Sequence, residues 1–481
     1  MESVVVAGAG PVGLFLAAEL ALAGVTPLVL ERDVEPDARK NDDDRGLTAR
    51  TMQTLAARGL ADETTALGAA AIRRLAAFAQ PDHDELPEDL PGLLEMVGMA
   101  GAKGDFAMLP FIDHDGALAD LPAPLMVLQG EFEAILTRHA AALGVTVRGG
   151  AEVTSVAQDT DGVTVGLADG TEIRTTWLVG CDGGRSTVRR CAGFDFPGTE
   201  PSMVARVAVA QTTLEPGFHR VPAGMYAVGP PPAPSMTIEF GPADRTGELT
   251  AAEFEASLRR VSGTDVTVEA IDAPFRITDN ARQTTTYRRG RVLLAGDAAH
   301  VHSPIGGQGL NLGLQDAANL GWKLALVIGD RAPGDLLDTY TAERHPVGAE
   351  ALRNSRAETA LLRTDPHTEA LRELLADLLP VAQRHLIELI HGLRIRYDLG
   401  DPPAGTFAAG AVEHLRDGRG VLLAEQALHA VAGPWSDRVR CVPAAGGTLV
   451  RPDGYIAWTG TDPDGLRASF TRWFGAGKLP A

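Results

Sequence analysis

The stretch VVVAGAGPVG, residues Val4–Gly13, decides the fold of this chain. Its β-branched half predicts a buried strand, and the glycines that follow predict a tight loop. An apolar helical pattern comes next, Leu14–Ala23, and Gly24 ends it. A second apolar run, Pro27–Leu30, stops at Glu31. The sequence therefore predicts a βαβ unit whose parallel strands are buried on both faces.

The glycine spacing in this unit is typical of dinucleotide binding. Gly8 permits the turn, Gly10 lets a pyrophosphate approach the backbone, and Gly13 lets helix and strand pack closely. The helix N-terminus holds the pyrophosphate through its N–H groups and dipole, and Glu31 can accept from both ribose hydroxyls. The predicted contacts here are Gly8, Gly10, Pro11, Val12, Gly13, Glu31 and Arg32. This motif alone does not distinguish NAD from FAD.

Two further motifs follow in the chain. The first is CDGGRS, Cys181–Ser186, and the second is GDAAH, Gly296–His300, which continues through a glycine-rich loop to Asn311. With the first glycine loop, they resemble the class A flavoprotein monooxygenases, the aromatic hydroxylase group related to p-hydroxybenzoate hydroxylase. The resemblance covers roughly residues 1–350. Residues 451–458, RPDGYIAW, look like the thioredoxin-like tail of larger members of that group.

The third motif has a physical interpretation of its own. Asp297 follows a buried strand, so its carboxylate emerges at the edge where ligands of parallel sheets bind. The resemblance implies that it holds the ribityl chain of FAD. The loop Gly306–Gly309 precedes a helix whose N-terminus would stabilise negative charge on the reduced flavin, with Pro304 packed near the ring.

The resemblance implies further contacts with FAD. Arg45 matches an arginine that contacts the flavin, although Arg50 is an alternative, and Gln129 matches a glutamine on the ribose or phosphate. Asp182 is expected at the cofactor, or else bonds its own backbone turn. The predicted FAD contacts outside the first motif are Arg45, Gln129, Asp182, Gly296, Asp297, Pro304, Gly307, Gly309, Leu310 and Asn311.

No metal site and no obligatory catalytic side chain are predicted. His300 and His302 have no third ligand at metal spacing, so packed or loop histidines are expected. The three cysteines form no CxxC pair, which argues against redox work by the C-terminal segment.

The predicted fold is α/β: a Rossmann-type FAD domain, a mixed-sheet substrate domain and a small C-terminal thioredoxin-like module. The domains are expected at 1–70, 100–185 and 280–350 for FAD, 71–99 and 186–279 for substrate, 351–395 for a long helical connection and 400–481 for the module.

Short runs at 145–147, 153–157, 163–167 and 173–175 predict an antiparallel meander, and 178–181 predicts a separate buried strand. The stretch 80–124 shows no clear element, and 339–393 is predicted helical throughout.

Composition limits the partners. The chain has 481 residues and a net charge of −20, which opposes nucleic acid and anionic membranes. Neither a signal peptide nor an apolar run long enough for a membrane span is seen, so a cytoplasmic monomer or homodimer is expected.

The resemblance implies an FAD-dependent monooxygenase that uses NADPH or NADH and O2. Through a flavin C4a-hydroperoxide it would hydroxylate a large aromatic substrate, polyketide-like or phenolic. Baeyer–Villiger oxygenation and oxidative inactivation of an antibiotic are alternatives on the same scaffold. A flavin dehydrogenase and an FAD-bound ligand-binding protein are the alternatives outside monooxygenase chemistry.

Overall fold

The computed structural model describes residues 2–35, 44–79, 87, 89–96, 101–113, 116–121, 123, 125–229, 233–241 and 247–478. Its strands are β1 (Glu2–Ala7), β2 (Leu28–Leu30), β3 (Asp44–Leu47), β4 (Ala102–Phe106), β5 (Leu109–Ile112), β6 (Leu125–Leu128), β7 (Thr146–Arg148), β8 (Val153–Gln158), β9 (Val163–Leu167), β10 (Glu172–Gly180), β11 (Gly198–Thr199), β12 (Met203–Ala210), β13 (Gly217–Val221), β14 (Gly224–Val228), β15 (Ser235–Phe240), β16 (Ile271–Thr278), β17 (Ala281–Gln283), β18 (Arg288–Arg289), β19 (Val292–Leu294), β20 (His300–Val301), β21 (Gly420–Ala424), β22 (Val439–Pro443), β23 (Gly447–Val450) and β24 (Ile456–Thr459). Its helices are α1 (Pro11–Leu22), α2 (Ala49–Ala56), α3 (Ala61–Ala79), α4 (Leu90–Met96), α5 (Gln129–Ala142), α6 (Thr187–Cys191), α7 (Ala251–Ser262), α8 (Gln308–Ile328), α9 (Asp338–Leu361), α10 (Pro366–Ile390), α11 (Gln426–His429) and α12 (Pro463–Phe474).

An eight-stranded sheet carries the first βαβ unit. Its main path runs β18-β19-β10-β1-β2-β7, and β19, β10, β1, β2 and β7 are parallel. Ala7 pairs with Gly180, and Gly180 pairs with Leu294, so three neighbouring strands end at one level. The loops that follow them are the three sequence motifs. The register of the sheet therefore brings together motifs that lie almost 300 residues apart.

The predicted meander is partly wrong. β7 does not join it, because β7 pairs in parallel with β2 at the far edge of the sheet. The runs predicted separately at 173–175 and 178–181 form one strand, β10. Its first half is antiparallel to β9, and its second half is parallel to β1. Alternation along a strand does not reveal which neighbour each half will pair with.

A second, five-stranded sheet has the antiparallel order β13-β14-β15-β12-β16. The stretch 80–124, predicted to lack clear elements, contains α4 and the β4–β5 hairpin. Phe106 and Phe111 of this hairpin share an apolar cluster with Met203 and Ile238 of the five-stranded sheet. The division of the chain into domains stays a prediction.

The long helical region predicted at 339–393 consists of two helices, α9 and α10. Asp365 ends the link between them, accepting hydrogen bonds from the N–H groups of His367 (3.0 Å) and Thr368 (3.2 Å). Pro366 then occupies the first turn of α10, where its missing N–H costs nothing. A capping aspartate followed by proline starts a new helix, which explains the break after α9.

The C-terminal sheet has the order β22-β21-β23-β24, in which β21 and β22 are parallel and the other pairs antiparallel. Trp473 of α12 shares a core with Trp322 of α8, so this module packs directly on α8. Arg451 joins the module to α9 through hydrogen bonds to both carboxylate oxygens of Glu343 (2.8 and 2.7 Å). None of the helices described is long and apolar enough to cross a membrane.

Candidate cofactor and active site

A cavity of about 600 Å³ lies at the edge where β1, β10 and β19 end. Its size is that of a pocket for a small molecule or cofactor. Ten of the residues predicted from sequence line it: Gly10, Pro11, Val12, Arg45, Gln129, Asp297, Pro304, Gly307, Gly309 and Leu310. The predicted residues outside its lining are Gly8, Gly13, Glu31, Arg32, Asp182, Gly296 and Asn311.

The first glycine loop contains two kinds of glycine: those that the packing of the protein requires and one that faces the cavity. Gly8 has a φ of +101°, and a Cβ there would overlap the carbonyl group of Cys181. A Cβ on Gly13 would overlap the carbonyl oxygen of Gly8. Gly10 has a φ of −70°, and no described atom lies within 4 Å of where its Cβ would be. Gly10 therefore leaves room that the protein itself does not fill.

The side chain of Glu31 braces this loop. Its Oε2 accepts a hydrogen bond from the backbone N–H of Ala9 (2.7 Å), and its Oε1 accepts from that of Asp33 (3.1 Å). A carboxylate has room for further donors. Its predicted contact with a ribose stays a prediction, as does that of the neighbouring, exposed Arg32.

Two helix N-termini open onto the cavity. α1 begins after Gly10 and α8 begins after Gly307, and no described side chain caps either one. A Cβ on Gly313, in the second turn of α8, would lie 2.6 Å from Val12 in the first turn of α1, so the two helices touch near their N-termini. Each N-terminus presents unpaired N–H groups and a partial positive charge. The cavity thus favours anionic or electron-rich groups at two points.

The structure distinguishes the two candidate arginines. Arg45 lines the cavity and donates from Nε to Oε1 of Gln129 (2.8 Å). Arg50 is buried elsewhere, donating to the carbonyl oxygen of Gly392 (3.3 Å) and lying 4.0 Å from the ring centroid of Phe407. Arg45 and Gln129 therefore form one polar group at the cavity, while Arg50 holds the C-terminal part of the chain.

Asn311 ties the Arg45 strand to α8. Its Oδ1 accepts from the backbone N–H of Thr48 (2.8 Å), and its Nδ2 donates to the carbonyl oxygens of Gly46 (2.7 Å) and Gly307 (2.8 Å). The side chain is 3% exposed and lies outside the cavity lining. Asn311 thus positions the residues around it, and its direct contact with FAD stays a prediction.

The two candidate aspartates differ in what they bind. Asp182 caps α6, accepting from Ser186 Oγ (2.5 Å) and from the backbone N–H groups of Thr187 (2.7 Å) and Val188 (3.0 Å). Asp297 is exposed in the cavity and makes no hydrogen bond with the described part of the chain. Its carboxylate is free to accept hydrogen bonds from a ligand.

His300 and His302 also differ. His300 is fully buried, with Nε2 2.6 Å from Oδ2 of Asp316, which in turn pairs with Arg344. His302 lines the cavity, and its Nδ1 lies 2.7 Å from the carbonyl oxygen of Ser303. That contact requires a proton on Nδ1, so the buried Nε2, which has no partner among the described residues, is an acceptor. Burial lowers the pKa of His302 and keeps the ring neutral.

Several lining residues had no signal in the sequence. Asp105 reaches the cavity from β4, and Ile390 and His391 reach it from the end of α10. The described residues hold no cluster of His, Cys, Asp or Glu that could bind a metal ion. The groups present fit a flavin dinucleotide: two uncapped helix N-termini that donate, a carboxylate at Asp297 that accepts, and an open backbone at Gly10.

Comparison with known proteins gives agreement along the whole chain. A family model described as "FAD binding domain" matches residues 1–355, and one described as "Aromatic-ring hydroxylase, C-terminal" matches residues 404–477. The rifampicin monooxygenase of Streptomyces venezuelae is 39% identical over 99% of this chain and 99% of its own. The 12-dehydrotetracycline 5-monooxygenase/anhydrotetracycline 6-monooxygenase of Streptomyces rimosus subsp. rimosus is 40% identical over 98% of both chains. The solved structure of the anhydrotetracycline hydroxylase OxyS from Streptomyces rimosus has a TM-score of 0.84 at 39% identity, covering 99% of both chains.

Proposed function

The chain belongs to the family of FAD-dependent aromatic-ring hydroxylases, and from that premise we propose that it hydroxylates a large polycyclic phenolic substrate with NAD(P)H and O2. One oxygen atom of O2 enters a C–H bond of the substrate. The other leaves as water, and NAD(P)H is oxidised to NAD(P)+ with uptake of one proton. FAD, when bound, supplies the electron transfer and oxygen activation.

The residues of the cavity support this proposal for the cofactor. We expect the pyrophosphate of FAD at Gly10 and the α1 N-terminus, where backbone N–H groups are unpaired. We expect Asp297 to accept from the ribityl hydroxyls. The isoalloxazine ring then lies before the α8 N-terminus, which favours negative charge on the ring when it is reduced. Arg45 and Gln129 face the same space.

The far side of the cavity supports the proposal for the substrate. Gly104 and Asp105 of β4 and Ile390 and His391 at the end of α10 line it there. These elements pack in the apolar cluster of the five-stranded sheet. We expect the aromatic substrate between that sheet and the flavin, with apolar contacts along its rings and Asp105 at its phenolic edge.

The observation that carries the substrate class is the near-equal identity to two relatives with polycyclic substrates in their names. One relative is named for rifampicin and the other for anhydrotetracycline, at 39% and 40% identity. Both compounds present fused aromatic rings with phenolic hydroxyls. A panel for this enzyme therefore starts from naphthalene-, anthracene- and tetracene-based phenols.

The test combines oxygen uptake with product analysis. Purified holoenzyme is given each phenol under 18O2, with NADH and NADPH in parallel and with catalase to report uncoupled peroxide. We expect substrate-stimulated oxygen uptake and a product that gains one 18O atom as a C–OH group, located by NMR. A ring-expanded ester or lactone would show Baeyer–Villiger oxygenation instead. Bound flavin with no response of oxygen uptake to any phenol would overturn the monooxygenase proposal.

A further inference from the structure

Glu358 is a buried carboxylate directly behind the loop that starts α8. It lies near the end of α9 and is 1% exposed. A Cβ on Gly306 would be 2.6 Å from both of its carboxylate oxygens, so the carboxylate touches the backbone of this loop. Oε1 is 3.3 Å from Nε2 of Gln308, which donates to it. Oε2 is buried without a hydrogen-bond partner in the described chain.

The other deeply buried carboxylates of the flavin-side core contrast with Glu358. Glu19, Asp316 and Glu343 are each held by an arginine at hydrogen-bonding distance. An ion pair of this kind satisfies a buried charge and makes it part of the structure. Across the described residues, no arginine or lysine forms such a pair with Glu358. Ionising a carboxylate placed there without a partner costs folding free energy, which directs attention to its position beside the cavity.

The titratable and charged groups around Glu358 add no compensating cation. Asp105 faces it from β4, and His302, which is neutral, lies on the segment before the loop. Arg372 of α10 donates instead to the carbonyl oxygens of Ala107 (2.7 Å) and Leu361 (3.0 Å). Burial raises the pKa of Glu358 to about 7, and the negative charge of Asp105 adds to this rise, while the backbone N–H of Ala107 and the side chain of Gln308 partly oppose it. The proton of Glu358 is therefore gained and lost near neutral pH.

We propose that Glu358 is a positioning residue whose charge sets the reduction potential of FAD from behind the Gly306–Gly307 loop. This inference rests on the proposed function, which places the flavin ring before the α8 N-terminus. The helix end acts as a partial positive charge that favours the reduced, anionic ring. An ionised Glu358 opposes that charge at close range, and a protonated Glu358 leaves it intact.

This arrangement determines how many protons the enzyme takes up when bound FAD is reduced. Reduction by NAD(P)H transfers two electrons and one proton, which leaves a negative charge on the ring. That charge increases the proton affinity of Glu358, because two negative groups on either side of one loop repel each other. At a pH where Glu358 is ionised in the oxidised enzyme, reduction therefore draws one additional proton from solvent onto its carboxylate.

The test is the midpoint potential of bound FAD between pH 6 and 8.5, measured by dye equilibration without substrate. Each proton taken up on a two-electron reduction contributes about 30 mV per pH unit. The wild type should change from a one-proton slope below neutral pH to a two-proton slope above it. Glu358→Gln should keep the one-proton slope throughout and have the higher potential at pH 8.5. Glu350→Gln is the matched control, since Glu350 lies two turns earlier on α9, is exposed and pairs with Arg353.

A second measurement needs no variant. The infrared difference spectrum of the wild-type holoenzyme at pH 8 should gain a protonated-carboxyl C=O band on reduction. Absence of that band, or identical potentials and slopes in wild type and Glu358→Gln, would overturn this inference while the proposed function stands. Failure of the wild type to retain FAD would overturn the proposed function and the inference together.

Discussion

Gly10→Ala and Gly13→Ala, two substitutions three residues apart in the first glycine loop, should have opposite effects on the stability of the apoprotein. A Cβ on Gly13 would overlap the carbonyl oxygen of Gly8, a backbone atom that cannot rotate away. A Cβ on Gly10 meets no described atom within 4 Å, and the backbone there suits alanine. Gly13→Ala should therefore damage the fold, and Gly10→Ala should damage only the space reserved for the cofactor.

The expected magnitudes follow from these environments. Forced overpacking costs about 1–3 kcal/mol, so Gly13→Ala should lower the free energy of unfolding of the apoprotein by at least that amount. Gly10→Ala should raise it by about 0.4–1 kcal/mol, because alanine has fewer unfolded conformations. Its methyl group would push the pyrophosphate from an N–H donor. Loss of one charged hydrogen bond, about 1.5–3 kcal/mol, corresponds to a roughly 10- to 150-fold weaker Kd for FAD.

The assay pairs two measurements on each apoprotein. Urea unfolding reports the fold, and titration with FAD, followed by quenching of flavin fluorescence, reports the Kd. If Gly10→Ala binds FAD as tightly as the wild type, the pyrophosphate does not lie at Gly10. If it loses stability as Gly13→Ala does, the distinction between cavity-facing and structural glycines is wrong. Either result would refute the reasoning from the loop geometry.

Three further predictions concern other parts of the site and fold. Arg451→Met should cost about 3–5 kcal/mol in urea unfolding, because it removes the arginine that pairs with both Asp453 and Glu343. Lys323 would remain the cation at Glu343. The exposed Arg467→Met should stay within about 0.5 kcal/mol. Asp297→Asn should leave apoprotein stability unchanged and weaken FAD binding roughly tenfold in the same titration, since a neutral acceptor replaces a charged one. Burial raises the pKa of Glu358 from 4.5 to about 7, so its contribution to stability is complete below pH 4.5 and is lost as pH rises through 7. This change in the free energy of unfolding amounts to roughly 3 kcal/mol, and Glu358→Gln should remove it from the pH dependence measured by urea unfolding. The same pH dependence in Glu358→Gln and in the wild type would contradict the raised pKa.

The parts of the fold that sequence predicts well are those specified by neighbouring residues. The βαβ unit depends on an apolar run, a glycine loop and a helical pattern within about thirty residues, and β1, α1 and β2 appear where expected. The family and the fold class predicted from the three motifs are confirmed. Each motif lies in a loop after a buried strand, so local chemistry marks it. That the three loops meet depends on the sheet order β19-β10-β1, which no single segment encodes.

The candidate arginines show why other parts of the site could not be predicted from the sequence. Arg45 of β3 and Arg50 of α2 lie five residues apart, and the sequence leaves Arg50 as an alternative to Arg45 for the flavin contact. What separates them is distant in sequence: Gly392 and Phe407 give Arg50 a carbonyl oxygen and an aromatic face, and so turn it away from the cavity. Glu358 is the opposite case, because what distinguishes it from the other buried carboxylates is that no arginine of the described chain pairs with it. The role of such a side chain depends on whether a partner distant in sequence contacts it. Its own segment then shows no periodicity or spacing that marks this role, and only the packed structure reveals it.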